Sequence, residues 1–206
     1  MDLFSQHADT PAHELIELPD AELLLVRHYF SAARAQELFV QLRDETPWKQ
    51  DQLNMFGKRI PQPRLTAAYS EPHVRYRYSG LQLRSLAWTP ALLELKQIIE
   101  ELSGHSFNHL LMNYYRDGQD SMGWHSDDET ELGINPVVAS LSLGHPRSFK
   151  LKHKQRRDLT TLQLPLGDGD ILIMRGTTQA FWEHSISKQT QSVDPRINLS
   201  FRQIIS

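Results

Sequence analysis

Seven consecutive residues near the C-terminal end of the chain alternate strictly between polar and apolar side chains. Successive side chains of a β-strand point to opposite faces, so residues 196–202 would form a strand with one polar and one apolar face. The polar face carries Arg196, Asn198, Ser200 and Arg202, and the apolar face carries Ile197, Leu199 and Phe201. Two guanidinium groups suit a dicarboxylate, because each can bind a carboxylate through paired hydrogen bonds. A strand with a solvated polar face is the other interpretation of the pattern.

Two helices and many short strands are predicted along the rest of the chain. Residues 31–46 form the first helix, with Ser31 as its N-cap, and the second runs from a Thr89 cap to Gly104. Strands are predicted at residues 23–26, 65–69, 109–115, 137–143, 149–154, 159–164, 170–174 and 196–204. This order of elements predicts an α+β protein with a β-sandwich or barrel core.

Composition excludes several classes of protein. The 206 residues include no Cys, which excludes a disulfide scaffold, an iron–sulfur protein and a thiol enzyme. No apolar run is long enough for a membrane span, and no secretory signal is recognisable. We expect one domain over residues 22–206 after a polar, acidic lead-in at 1–21. We also expect a cytoplasmic location, no membrane association and a monomer.

Charge is distributed unevenly along the chain. The net charge is −3, but six of the 25 acidic residues lie in the first 22 positions, which leaves 19 acids against 22 bases in the rest. Basic residues concentrate in the segments 58–84 and 147–157. Such segments favour contacts with nucleic-acid phosphates, and an ordinary solvated surface is the alternative interpretation.

Two imidazoles and a carboxylate are candidates for a metal site. His125 and Asp127 are two positions apart, so a strand would point them to the same side. His184 lies in an aromatic segment upstream of the alternating strand. Two His and one carboxylate form the facial triad of non-haem iron oxygenases, which leaves coordination positions for a 2-oxo acid and dioxygen. Zinc with an activated water is open for the same ligands, but the downstream arginines favour iron.

Four segments together resemble the AlkB family of iron(II)- and 2-oxoglutarate-dependent dioxygenases, which demethylate nucleic-acid bases. They are residues 113–118, 125–129, 182–185 and 195–202, and segments 63–69 and 76–80 extend the match, which covers roughly residues 50–206. The resemblance implies a double-stranded β-helix (jelly-roll) core at about 105–206, two flanking helices and a nucleotide-recognition lid at about 50–85.

The resemblance also implies a set of site residues. Iron would be held by His125, Asp127 and His184. The co-substrate 2-oxoglutarate would be held by Asn113, Tyr115, Arg196, Asn198, Ser200 and Arg202. Many relatives have Thr where this chain has Ser200, but Ser keeps the hydroxyl. The flipped base would be recognised by Tyr76, Tyr78, Asp128 and Glu129. Nucleic-acid contacts would be made by Phe56, Arg64, Arg147, Lys150, Lys152 and Lys154, with Phe56 as a wedge in the base stack.

The reaction that the resemblance implies is oxidative demethylation of 1-methyladenine and 3-methylcytosine in DNA. It consumes dioxygen and 2-oxoglutarate and releases succinate, carbon dioxide and formaldehyde. An RNA demethylase or a protein hydroxylase is an alternative within the same superfamily. An alternative from another class is a catalytically silent nucleic-acid-binding module.

Overall fold

The computed structural model describes residues 12–55, 58–74, 77–78, 81–82 and 85–205. The strands are β1 His13–Leu18, β2 Ala21–Val26, β3 Gln52–Met55, β4 Lys58–Pro61, β5 Leu65–Ser70, β6 Arg77–Tyr78, β7 Leu81–Gln82, β8 His109–Tyr115, β9 Met122–His125, β10 Val138–Gly144, β11 Arg147–His153, β12 Leu162–Leu166, β13 Ile171–Arg175, β14 Trp182–Ile186 and β15 Arg196–Arg202. The helices are α1 Ala32–Glu45, α2 Pro90–Ser103 and α3 Thr178–Phe181, with a short 3-10 helix at Thr130–Leu132.

Both predicted helices are confirmed, together with the caps that delimit them. The Ser31 hydroxyl accepts a hydrogen bond from the Arg34 amide at the start of α1, at 3.3 Å. Thr89 caps α2 in the same way, and Pro90 occupies its first turn. Gly104 ends α2 with a φ of 68°, a left-handed conformation that glycine adopts without a steric penalty.

Two antiparallel sheets form the body of the fold. The larger has the strand order β1-β2-β13-β10-β15-β8-β5, and the smaller has the order β12-β11-β14-β9. Helices α1 and α2 pack on one face of the large sheet through a cluster that includes Leu38, Leu95 and Leu199. A second apolar cluster, which includes Leu172 and Leu151, lies between the two sheets. The predicted α+β class with a layered β core is therefore confirmed.

Three strands outside the two small hairpins, β3–β4 and β6–β7, were not expected from the sequence. β1 lies inside the predicted lead-in and pairs with β2 along its whole length, so residues 13–18 belong to the sheet. β9 and β14 were also missed, because each is short and mixes Gly, Trp, His or Glu with few β-branched residues. These two strands pair with each other at His125 and His184.

Two small hairpins precede α2. One is formed by β3 and β4, and the other by β6 and β7. Among the described residues, no helix is both long enough and apolar enough to cross a membrane.

Candidate active site

A polar cavity lies between the two sheets. It opens to solvent and is lined by residues of both sheets. All nine residues that the sequence assigned to metal and 2-oxoglutarate line it: Asn113, Tyr115, His125, Asp127, His184, Arg196, Asn198, Ser200 and Arg202. The structure therefore brings together side chains that are up to 89 positions apart in the chain, from residue 113 to residue 202.

The large sheet supplies the polar floor of this cavity through β8, β10 and β15. β15 lies between the other two, and its register places Asn198 opposite Asn113 on β8 and opposite Ser142 on β10. The alternation of β15 points its polar residues into the cavity, while its apolar residues join the cluster beneath α1 and α2. The same strand thus packs the core on one face and lines the site on the other.

Arg196 marks the anion-binding end of the cavity. Its side chain is buried, and Nη2 donates to the Ser142 hydroxyl at 2.9 Å. Within the described residues, Nε and Nη1 form no hydrogen bond. Burial lowers the pKa of Arg196 to about 10, and the adjacent Tyr115 phenol opposes this effect. A buried guanidinium with unused donors favours binding of an anion.

Amide and hydroxyl groups between the two ends are held by their own hydrogen bonds. Arg64 Nε donates to Asn113 Oδ1 at 2.8 Å, which fixes the orientation of that amide. Asn198 Nδ2 donates to the Ser140 hydroxyl at 2.7 Å, and Ser200 donates to Asn198 Oδ1 at 3.0 Å. These polar groups are preorganised before any ligand arrives.

The opposite end of the cavity holds the imidazoles and the carboxylate. His125 ends β9 and His184 lies in the middle of β14, and their ring centroids are 4.2 Å apart. Asp127 lies two residues beyond His125, with its Oδ2 at 3.9 Å from His184 Nε2. Its other oxygen accepts a hydrogen bond from Arg202 Nη2 at 2.7 Å.

Burial sets the protonation states that a metal needs. Burial, reinforced by His125, lowers the pKa of His184 to about 3. Burial also lowers the pKa of His125. Burial opposes ionisation of Asp127, but Arg202 and the two imidazoles outweigh it, so the pKa of this carboxyl is lowered. Neutral imidazoles beside an ionised carboxylate are the forms that bind metal ions.

The donor chemistry of this end fits iron(II). Two imidazole nitrogens and one carboxylate are the ligands of the facial triad, and the cavity leaves space beside them. No group of three His, Asp, Glu or Cys side chains among the described residues has, as it stands, the geometry of a metal site. The Asp127 carboxylate is directed to Arg202, so we expect these side chains to reorient when metal binds.

Two of the predicted phosphate contacts are wrong. The Arg64 side chain is buried and donates to Asn113 and to the Ser121 carbonyl. The Arg147 side chain is also buried and donates to the carbonyls of residues 117, 120 and 187. Sequence position alone suggested surface charges, but both guanidiniums satisfy backbone and side-chain acceptors inside the protein.

The remaining lysines of the basic segment lie at or near the surface. Lys152 forms an ion pair with Glu183 at 3.1 Å, and its ammonium lies 4.5 Å from the centre of the Trp124 ring. Lys154 forms an ion pair with Asp128 at 2.9 Å, and Lys150 is half-buried on β11. Exposed ion pairs of this kind contribute little to stability, so these lysines stay candidates for phosphate contacts.

Of the four predicted base-recognition residues, the structure describes the side chains of Asp128 and Glu129. Asp128 is more than half exposed beside the metal end, and Glu129 follows it at the start of the 3-10 helix. Phe56 and Tyr76 lie outside the described residues, and for Tyr78 the structure describes only the backbone of β6.

Several functional candidates were missed from the sequence. Ser140 and Ser142 orient the amide and guanidinium of the co-substrate end, and their alternation with apolar residues on β10 was a signal for it. Gln179 is fully buried on α3 and accepts a hydrogen bond from the Asp127 amide. No local pattern in the sequence marks Gln179.

Comparison with known proteins places this cavity in a family. The model of the 2OG-Fe(II) oxygenase superfamily matches residues 22–202. Alpha-ketoglutarate-dependent dioxygenase alkB homolog 3 of Mus musculus is 44% identical over 178 residues, which covers 82% of this chain and 62% of that protein. DNA oxidative demethylase ALKBH2 of Homo sapiens is 35% identical over 185 residues, which covers 85% of this chain and 71% of that protein. The chain thus spans a little under two thirds of the length of alkB homolog 3.

Solved structures support the fold. The structure of OsALKBH1 has a TM-score of 0.58 at 17% identity and covers 92% of this chain and all of that chain (100%). An oxidoreductase of the 2OG-Fe(II) oxygenase family from Burkholderia pseudomallei has a TM-score of 0.59 at 14% identity and covers 87% of this chain and 84% of that chain. With the family match and the relatives above, the chain belongs to the AlkB family within the 2OG-Fe(II) oxygenase superfamily.

Proposed function

We propose that this protein is an Fe(II)- and 2-oxoglutarate-dependent dioxygenase that oxidatively demethylates N-alkylated bases in DNA, with 1-methyladenine and 3-methylcytosine as substrates. One observation carries the proposal. A single cavity has a buried, incompletely paired arginine at one end and two imidazoles with a carboxylate at the other. This arrangement suits a dicarboxylate co-substrate with one carboxylate paired to Arg196 and the other end near a metal held by the imidazoles and the carboxylate.

The sheet topology supports a jelly-roll as the finer description of the fold. The strands from β8 to β15 divide between the two sheets, with β8, β10, β13 and β15 in one and β9, β11, β12 and β14 in the other. Two facing antiparallel sheets of four strands each, joined in this order, are the arrangement expected of that architecture. β1, β2 and β5 then extend its larger sheet.

The residues of the cavity divide the work of binding. Arg196 would pair with the distal carboxylate of 2-oxoglutarate, and Tyr115 and Asn113 would help to hold the co-substrate. His125, Asp127 and His184 would hold Fe(II), and Arg202, which donates to Asp127, lies at this end of the cavity. When bound, Fe(II) with 2-oxoglutarate and dioxygen supplies the oxidising power that hydroxylates an N-methyl group, after which formaldehyde leaves. The protein orients the reactants and excludes water from them.

Substrate access favours a flipped base over an intact duplex. His184 and Asp127 are both nearly inaccessible to solvent, so a base must leave its stack to come within reach. Alkylation of a ring nitrogen makes the base cationic, and the neighbouring carboxylates of Asp128 and Glu129 favour a positive charge. Tyr76 and Tyr78 would stack on the base, and Phe56 would fill the vacated place in a duplex.

A turnover panel tests the proposal. Formaldehyde release is measured from methylated single-stranded DNA, duplex DNA and RNA, with and without Fe(II) and 2-oxoglutarate. We expect release from DNA that depends on both additions and that is abolished by Asp127→Ala. Gln163→Ala, an exposed change on β12, is the matched control and should retain full activity.

Each other outcome of the panel has a meaning. Turnover of RNA alone would replace DNA by RNA as the substrate. Absence of cofactor-dependent release from all three substrates would refute the demethylase assignment. For the duplex wedge, Phe56→Ala should lose more activity on duplex than on single-stranded DNA, and equal losses would sink that part of the proposal.

A further inference from the structure

The acidic metal-ligand candidate, Asp127, lies beyond the end of its strand. β9 stops at His125, so no ladder hydrogen bond of the sheet fixes the backbone of the next two residues. Asp127 is nevertheless buried, with 1% of its surface exposed. A buried backbone amide without an acceptor is costly, so something else must hold this segment.

Gln179 provides that acceptor. The Asp127 amide donates to Gln179 Oε1 at 2.9 Å, between two residues that are fully or almost fully buried. The other end of the Gln179 amide donates to the Met174 sulfur at 3.4 Å. Because the amide nitrogen faces sulfur and the oxygen faces the Asp127 N–H, the orientation of this side chain is fixed on both sides.

Three consecutive residues are tied in order to the segment that carries His184. His125 pairs with His184 in the strand register. The Ser126 hydroxyl donates to the Trp182 carbonyl at 3.0 Å. Asp127 then donates to Gln179 in the helix that leads into β14. Side chains therefore continue the β9–β14 ladder past the end of β9.

The helix that carries Gln179 is itself anchored. The Thr178 hydroxyl accepts a hydrogen bond from the Glu22 amide of β2, at 3.0 Å. The Gln179 carbonyl accepts a hydrogen bond from Lys154, whose ammonium also binds the Asp128 carboxylate. α3 is thus connected to β2 of the large sheet and to Lys154, which in turn binds Asp128. The position of the Asp127 backbone depends on this helix.

We propose that Gln179 is a positioning residue that holds Asp127 for metal binding. The inference rests on the proposed function only in taking His125, Asp127 and His184 as the metal ligands. Replacing a residue that orients a metal ligand typically changes the metal affinity by about 10- to 100-fold. Gln179 has no access to the cavity contents and acts through the Asp127 backbone.

The test uses Gln179→Met, which keeps the side-chain length and removes the acceptor. The first measurement is the affinity for Mn(II) alone, without co-substrate or nucleic acid. We expect binding to weaken by about tenfold or more. The second measurement is hydrogen exchange of the Asp127 amide in the metal-free protein, which should become roughly ten times faster or more. Gln163→Met, the same chemical change at an exposed site, should alter neither.

The outcomes separate this inference from the proposed function. Mn(II) affinity within twofold of the unsubstituted protein, with unchanged exchange at Asp127, would overturn the role of Gln179. If Gln179→Met does not fold, Ser126→Ala decides through the neighbouring tie: weaker Mn(II) binding supports the inference, and unchanged binding overturns it. If the unsubstituted protein neither binds Mn(II) nor releases formaldehyde, the proposed function fails. In that case the hydrogen-exchange rate of the Asp127 amide still tests the hydrogen bond to Gln179.

Discussion

Individual arginines show how far residue identity alone predicts a role. Arg196 and Arg202 were predicted to face one site because they alternate with apolar residues, and β15 places both on the cavity. Arg64 and Arg147 were predicted from local charge density, and both are buried. Alternation is a property of the strand and reads directly from sequence, whereas burial of a single charged residue depends on acceptors that lie 27 to 57 positions away in the chain.

Replacing Arg196 should separate co-substrate binding from stability. We expect Arg196→Met to raise the KM for 2-oxoglutarate by about 100-fold or more, because a buried guanidinium–carboxylate pair is worth roughly 3 kcal/mol when one partner is removed. The thermal midpoint of the ligand-free protein should stay level or rise, since the substitution removes an incompletely paired buried charge. Steady-state kinetics and a thermal melt give the two values.

A matched change tests the specificity of that result. Arg34→Met removes a surface arginine that pairs with Glu37 on α1, and it should leave KM unchanged. An unchanged KM in Arg196→Met would contradict the assignment of the anion end.

Elements were predictable where their signals are local. The caps at Ser31 and Thr89 gave both long helices to within one residue. β9 and β14 were missed because their residues are ordinary in isolation. They are strands only because they pair with each other and because β14 also pairs with β11. Both candidate metal-binding histidines lie on these two strands, since chemistry needs polar residues where propensity would favour apolar ones.

β1 protects an apolar neighbour at the edge of the large sheet. It pairs with β2, whose residues 23–26 are Leu-Leu-Leu-Val. Deleting residues 1–19 should expose the backbone of β2 as a new edge, and open apolar edges promote association between chains. We expect concentration-dependent light scattering and a lower thermal midpoint.

A shorter deletion is the control for β1. Removal of residues 1–11 leaves β1 in place and should keep the protein monodisperse. A deletion of 1–19 that stays monodisperse with an unchanged midpoint would show that β1 is dispensable.

Stability of the whole molecule should fall as the pH drops from 7 to 4. Burial, and then the charge of Arg202, lowers the pKa of His109 to about 3, while Asp127 opposes the shift. The unfolded chain therefore binds a proton near pH 6.5 that the folded protein refuses until about pH 3. The stabilising contribution is complete above pH 6.5 and is lost below it, by about 2 kcal/mol between pH 7 and pH 5.

Urea unfolding of the metal-free protein at pH 7, 6 and 5 measures this contribution. His109→Leu should reduce the loss between pH 7 and pH 5 by about 2 kcal/mol. His73→Leu replaces an exposed histidine and should retain the full loss. The same pH slope in all three proteins would exclude His109 as a source of acid sensitivity.

The alternation of β15 has a consequence for how this chain can vary. Its polar side chains face the cavity and its apolar side chains pack in the core beneath the helices. A shift of one position in strand pairing would exchange these two sets. An inserted or deleted residue in this strand would place leucine in the anion-binding cavity and arginine in the hydrophobic core. A change of register in this strand would therefore disrupt ligand binding and folding at once. Tolerated variation should be limited to substitutions that keep cavity-facing positions polar and core-facing positions apolar.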